Sequence, residues 1–223
     1  MHHESHIHFD GPVGNIEAIM EIPADLPLRG IALVAHPHPA GGGANTNKVA
    51  HTLAKTFRSL GYAAFRPNFR GVGKTEGVHD GGLGETDDLL ATLEEAHRRL
   101  EDPNRCLPVT LAGFSFGAYC QTLLARRLRD AGRAAERLAL VGVAAGFIEG
   151  VRAYDTEAVP ADTLIIHGAD DTLVPLANVL AWAEPQNLPV VVIPGADHFF
   201  HRRLTLIRDI ILRAWHDRAR DLR

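Results

Sequence analysis

Seven short apolar runs, spaced along the chain and separated by amphipathic stretches, constrain the fold more than any other feature. They are "IEAIMEI" (16–22), "IALVAH" (31–36), "YAAFRP" (62–67), "VTLAGF" (109–114), "LALVGVAAG" (138–146), "TLIIHG" (163–168) and "VVVIPG" (190–195). Several carry no polar alternation, the pattern of strands buried on both faces of a parallel sheet. Helical periodicity fills the gaps: 47–60, stopping at Gly61; 85–102, acidic at its start and basic at Arg98 and Arg99; from Ser115 to about Arg129; and about Arg203 to Arg218. Strand–helix alternation predicts an α/β chain with a mostly parallel, doubly wound sheet flanked by helices. No repeat or linker interrupts it, so residues 1–223 read as one domain. The first two strands have only a short link between them, which predicts an antiparallel hairpin at one edge. His2, His3, His6 and His8 read as the start of an edge strand rather than a metal tract, because alternation begins within them.

Composition excludes several functions. Hydrophobic residues make up 46% of the 223, enough for a sizeable core, and the net charge of −4 provides no nucleic-acid footprint. No apolar run is long enough to span a membrane, and the N-terminus has no signal-peptide pattern. The two cysteines, Cys106 and Cys120, read as small buried residues of a reducing compartment, so the expected location is the cytoplasm.

Within "VTLAGFSFGAYCQTLLARRL" the chain passes from buried strand to helix through Gly113-Phe114-Ser115-Phe116-Gly117. A serine on so tight a turn sits in a strained backbone conformation, and glycines two residues before and after relieve the crowding. The bland alternative is a small residue at a buried turn. A nucleophile further requires a base, an acid to orient it and donors for an oxyanion.

In open α/β sheets ligands bind beyond the carboxyl ends of the strands. Of 13 histidines, His198 stands just past the run "VVVIPG", in "GADHFF". Asp170 and Asp171 both follow the strand "TLIIHG", and either suits the acid. The order Ser, Asp, His differs from those of the chymotrypsin and subtilisin types. For the oxyanion, one donor is the backbone N–H of Phe116. The other comes from "HPHP" (36–39), where between residues 37 and 39 only His38 has an amide to donate. His36 reads as a structural hydrogen-bonding residue.

These residues together resemble the α/β-hydrolase superfamily, and within it a group of short bacterial hydrolases without a cap domain. The resemblance rests on "HPHP" (36–39), "NFRG" (68–71), "GFSFG" (113–117), "HGADDTLVP" (167–175) and "GADHFF" (195–200) and covers nearly the whole chain. The family spacing His-Gly-x-x-Asp assigns the acid to Asp171, leaving Asp170 and Asp197 to cap local turns. It implies a Ser115–Asp171–His198 triad, with no metal and no organic cofactor.

The segment between "LALVGVAAG" and "TLIIHG", where caps commonly enter, is too short to hold one. An open site of that kind suits small or short-chain esters and thioesters. A peptidase or acyltransferase would use the same triad, and a non-catalytic member of the fold would use none of it. Dienelactone hydrolases, similar in size, carry cysteine at the nucleophile position, and haloalkane dehalogenases carry aspartate. "GVGKT" (71–75) is not a phosphate-binding loop, since Asn68 stands where its first glycine belongs. Arg70 reads as the partner of a carboxylate, with Asp80, Glu85 and Asp88 as candidates. The expected partner is a small-molecule substrate; an exposed edge strand leaves a route to a homodimer that nothing in the sequence requires.

Overall fold

The computed structural model of the protein describes residues 4–221, with side chains through Trp215; His2 and His3 lie outside the described residues. Eight strands form one sheet: β1 (Glu4–Gly11), β2 (Gly14–Glu21), β3 (Gly30–Ala35), β4 (Tyr62–Pro67), β5 (Val109–Phe114), β6 (Arg137–Val141), β9 (Leu164–Gly168) and β10 (Val190–Ile193). Their spatial order is β1-β2-β4-β3-β5-β6-β9-β10. From β4 to β10 every neighbour is parallel, while β1 and β2 form an antiparallel hairpin at the edge. The two remaining strands, β7 (Gly146–Ile148) and β8 (Arg152–Tyr154), make a separate small hairpin between β6 and β9.

The fully apolar runs are the central strands. Every residue of β3, β4 and β9 is buried. Helices α1 (Lys48–Ser59) and α5 (Leu204–Asp221) cover one face, through Leu53, Phe57, Ile207 and Ile211. Helices α2 (Leu83–Arg99) and α3 (Phe116–Asp130) cover the other, through Leu89, Leu93, Leu124 and Leu128, and α4 (Leu176–Ala183) adds Val179 there. Gly61, at φ 93, closes α1 by donating to the carbonyl of Arg58. Helix α2 starts two residues earlier than the sequence predicts, because Glu85 caps it by accepting from the Gly82 N–H at 2.7 Å.

Successive strands leave β3 in opposite directions, to β4 on one side and β5 on the other. That reversal opens a crevice beyond the carboxyl ends of β3 and β5, the place where doubly wound sheets bind ligands. The loops that follow β3, β5, β6, β9 and β10 converge there. The β7–β8 hairpin occupies the position of a cap without being large enough to serve as one. Among the described residues no helix is long and apolar enough to cross a membrane.

One expectation fails. Cys120 is buried, but Cys106 is exposed, on a turn whose amides at Cys106 and Leu107 donate to the Asp102 carboxylate. The turn satisfies its backbone locally and so never enters the core.

Candidate active site

Ser115 joins β5 to α3 at φ 55 and ψ −120, a left-handed conformation costly for any residue with a Cβ. Neighbouring backbone leaves no alternative. A Cβ on Gly113 would lie 2.6 Å from the Ala118 nitrogen, and one on Gly117 would run into the carbonyls of Ala35 and His36. The Ser115 N–H donates to Val141 at 2.9 Å, tying the turn to β6. Its hydroxyl stands 3.0 Å from Nε2 of His198, whose Nδ1 is 2.7 Å from Oδ2 of Asp171. All three residues are buried, and the His198 ring packs against Phe114, centroids 5.0 Å apart.

Asp171 is itself held. Its Oδ1 accepts from the amides of Leu173 (3.0 Å) and Val174 (2.8 Å), leaving Oδ2 for His198. His167, fully buried, donates from Nε2 to the Val174 carbonyl at 3.0 Å, which fixes its tautomer, and the same nitrogen is 3.4 Å from Asp171 Oδ2. Asp170 is exposed, and in that turn its amide rather than its carboxylate is engaged, with Ala196 O. Asp197 does accept from the His201 amide, as a turn cap.

Neither proposed oxyanion donor is spent among the described residues. Phe116 is the first residue of α3, where no intrahelical acceptor exists. His38, between its two prolines, has φ −55 and accepts the Ala40 N–H on its own Nδ1 at 3.1 Å. His36 accounts for the direction of the His38 amide. Its Nε2 accepts from the Phe69 N–H at 2.9 Å, so Nδ1 carries the proton and donates to the Pro37 carbonyl at 2.7 Å. That carbonyl belongs to the same planar peptide as the His38 N–H, and fixing one end fixes the other.

Burial drives the His36 pKa down to about 4 from 6.5. The folded chain therefore prefers neutral imidazole, while the unfolded chain takes up a proton below 6.5. This contribution is complete above pH 6.5 and is lost as pH falls towards 4, about 3 kcal/mol in all. Urea unfolding at pH 7 and pH 4 is expected to show a larger acid loss for wild type than for His36→Gln.

Arg70 pairs with Asp88, Nε to Oδ2 at 2.9 Å and NH2 to Oδ1 at 2.8 Å, with Asp80 3.6 Å away, so its guanidinium is structural. The "GVGKT" loop donates its Lys74 amide to Glu17, which accepts Asn68 Nδ2 as well. Sequence reasoning missed another imidazole–carboxylate pair, beside Phe116: His79 Nδ1 lies 2.6 Å from Oε1 of buried Glu85. It also missed Arg152, on β8. His79 follows a glycine-rich loop with no periodicity, and nothing in the sequence marks it.

The family model described as serine aminopeptidase, S33, matches residues 29–151, more than half of the chain. The chain belongs to this family of α/β-hydrolases. The matched stretch carries the 36–39 loop and Ser115 and stops before Asp171 and His198. An α/β serine hydrolase homologue from Coxiella burnetii is 37% identical, with 94% of this chain and 96% of that one covered and a TM-score of 0.79. A lidless α/β serine hydrolase from Xanthomonas campestris is 32% identical, with 96% and 94% covered and a TM-score of 0.83. Caffeoylshikimate esterase of Arabidopsis thaliana is 28% identical over 119 residues, 52% of this chain and 34% of that protein. This α/β-hydrolase thus shares the architecture of both bacterial proteins over nearly its full length.

Proposed function

We propose that this protein is a serine esterase or thioesterase acting on small or short-chain acyl groups through an acyl-enzyme. The observation that carries the reading is the unbroken chain Ser115 Oγ, His198 Nε2, Asp171 Oδ2, at 3.0 and 2.7 Å. Ser115 Oγ attacks the acyl carbonyl as His198 Nε2 takes its proton. Asp171 holds the Nδ1–H tautomer and stabilises the imidazolium. The amides of Phe116 and His38 receive the oxyanion, and His198 returns the proton to the leaving group. Water activated by the same imidazole then attacks the acyl-enzyme, releasing the acid and restoring Ser115.

The absence of room for a cap between β6 and β9 favours short acyl chains. The esterase named among the relatives supports ester chemistry. The family's description as serine aminopeptidase favours a second reading, cleavage of aminoacyl amides, which needs the same groups.

A fluorophosphonate probe tests the nucleophile, and a panel of 4-nitrophenyl esters, acyl thioesters and aminoacyl amides tests the acceptor class. Labelling and turnover of short esters or thioesters are expected; folded protein that takes up no probe would remove the catalytic reading. The oxyanion assignment has its own test. His38 already has a φ that proline adopts, so His38→Pro deletes the amide with little backbone change. Relative to His38→Ala, which keeps the amide, it is expected to lose about 10²–10³ in kcat.

A further inference from the structure

The Phe116 ring, next to the nucleophile, is a hub. His38 and His79 pack on it at 4.9 and 5.2 Å, and Tyr119 and Tyr154 at 6.0 and 6.5 Å. His38 and His79 touch one another at 4.6 Å. Above the two tyrosines lies the guanidinium of Arg152, 4.4 Å from the centroid of Tyr154 and 5.4 Å from that of Tyr119. Its NH2 donates to the Gly81 carbonyl, and its Nε has no partner among the described residues although it is buried. The side chain thus reaches from the small hairpin, where a cap would stand, to the loop carrying His79.

The carboxylates of this region are committed elsewhere. Glu85 accepts from the amides of Asp80 and Gly82 and pairs with His79. Asp80 accepts from the amides of Gly82 and Gly84 and lies 3.6 Å from Arg70. Asp155 is exposed, and its charge reaches Tyr119. Among the described residues none of them forms an ion pair with Arg152. A partly buried guanidinium stacked on aromatic rings and lacking a counter-charge is a preorganised receptor for a carboxylate or phosphate. The charge of Arg152 is felt at His38: after burial, the main cause, His79 and Arg152 both disfavour a proton there.

We propose that Arg152 selects esters or thioesters bearing an anionic group, which it binds beside the Phe116 hub while the acyl carbon lies at Ser115. The proposal rests on the hydrolase reading above and deepens it.

Two matched pairs of substrates locate the anion. Mono-4-nitrophenyl succinate against 4-nitrophenyl butyrate tests the acyl side. 4-Acetoxybenzoate against its methyl ester tests the leaving-group side. For one pair the ratio of kcat/KM, anionic over neutral, is expected to be at least about tenfold in wild type, to shrink with added salt, and to fall towards one in Arg152→Gln. Arg152→Lys, which keeps the charge but not the planar fork, is expected to fall between. A wild-type ratio of one or less for both pairs overturns the proposal without any variant. A parallel loss for anionic and neutral esters in Arg152→Gln overturns it too, since that is the behaviour of a clasp between hairpin and loop. Either result, with the neutral esters still hydrolysed and Ser115 still labelled, leaves the hydrolase reading standing. No hydrolysis of any ester and no labelling would sink that reading instead.

Discussion

Asp171→Asn is expected to lower kcat by about 10⁴ while leaving the fold intact. The size follows from how the carboxylate is held. Its Oδ1 accepts two backbone amides, from Leu173 and Val174, so in the variant the amide oxygen must take that position. The NH2 group is then forced to the place of Oδ2, 2.7 Å from His198 Nδ1. Two donors cannot face each other, so His198 shifts its proton to Nε2 and can no longer accept one from Ser115. The 171–174 turn keeps both of its hydrogen bonds, which separates this loss from unfolding. Steady-state kinetics with a thermal melt checks it: kcat falls and Tm stays within a few degrees. Wild-type kcat in a folded variant would mean that the orientation of His198 does not depend on this carboxylate.

How much of this was legible beforehand differs by element. Strands β3, β4 and β9 were readable because burial on both faces leaves short, mostly apolar runs without polar alternation, bounded by turns. The turn at Ser115 was readable because sterics demand glycine on either side of it. Asp171 was not fixed by the residues alone. Asp170 and Asp171 are equally placed in the chain; the family spacing favoured Asp171, and only a folded loop shows which one turns inward. The β7–β8 hairpin was missed because three-residue strands carry no period. Cys106 was misread because its burial depended on a turn, and cysteine carries no local signal for one. The pairing of His79 with Glu85 and the stacking of Arg152 join segments far apart in sequence, through contacts that no local pattern encodes. The same holds for the peptide of Pro37 and His38: the prolines were visible, but the imidazole of His36 that orients them was known only as a hydrogen-bonding residue.

Ser115→Ala and Ser115→Gly are expected to agree in activity and to differ in stability. Both remove the hydroxyl that attacks in the proposed mechanism, and both are expected to lose roughly 10⁵–10⁶ in kcat and all labelling by the fluorophosphonate. The backbone at this position has φ 55 and ψ −120. Alanine keeps the Cβ and therefore the strain, so its Tm is expected to stay near that of wild type. Glycine has no Cβ and adopts this conformation freely, which relieves about 1–3 kcal/mol of strain. Its greater unfolded-state entropy returns up to about 1 kcal/mol of that gain. The net is about 1 kcal/mol, or roughly 2–4 °C in Tm for a chain of this size. Differential scanning calorimetry of the three proteins reads the difference directly. A glycine variant less stable than the alanine variant would mean that the surrounding contacts, and not the Cβ, set the energy of the turn. The expected order, glycine above alanine and wild type, makes Ser115 a position where the chain is held in a costly geometry. The cost is imposed by the tie of Ser115 N–H to β6 and by the close packing of Gly113 and Gly117 against their neighbours. Those same contacts hold the hydroxyl 3.0 Å from His198 before any substrate arrives, so the strain and the alignment have one origin.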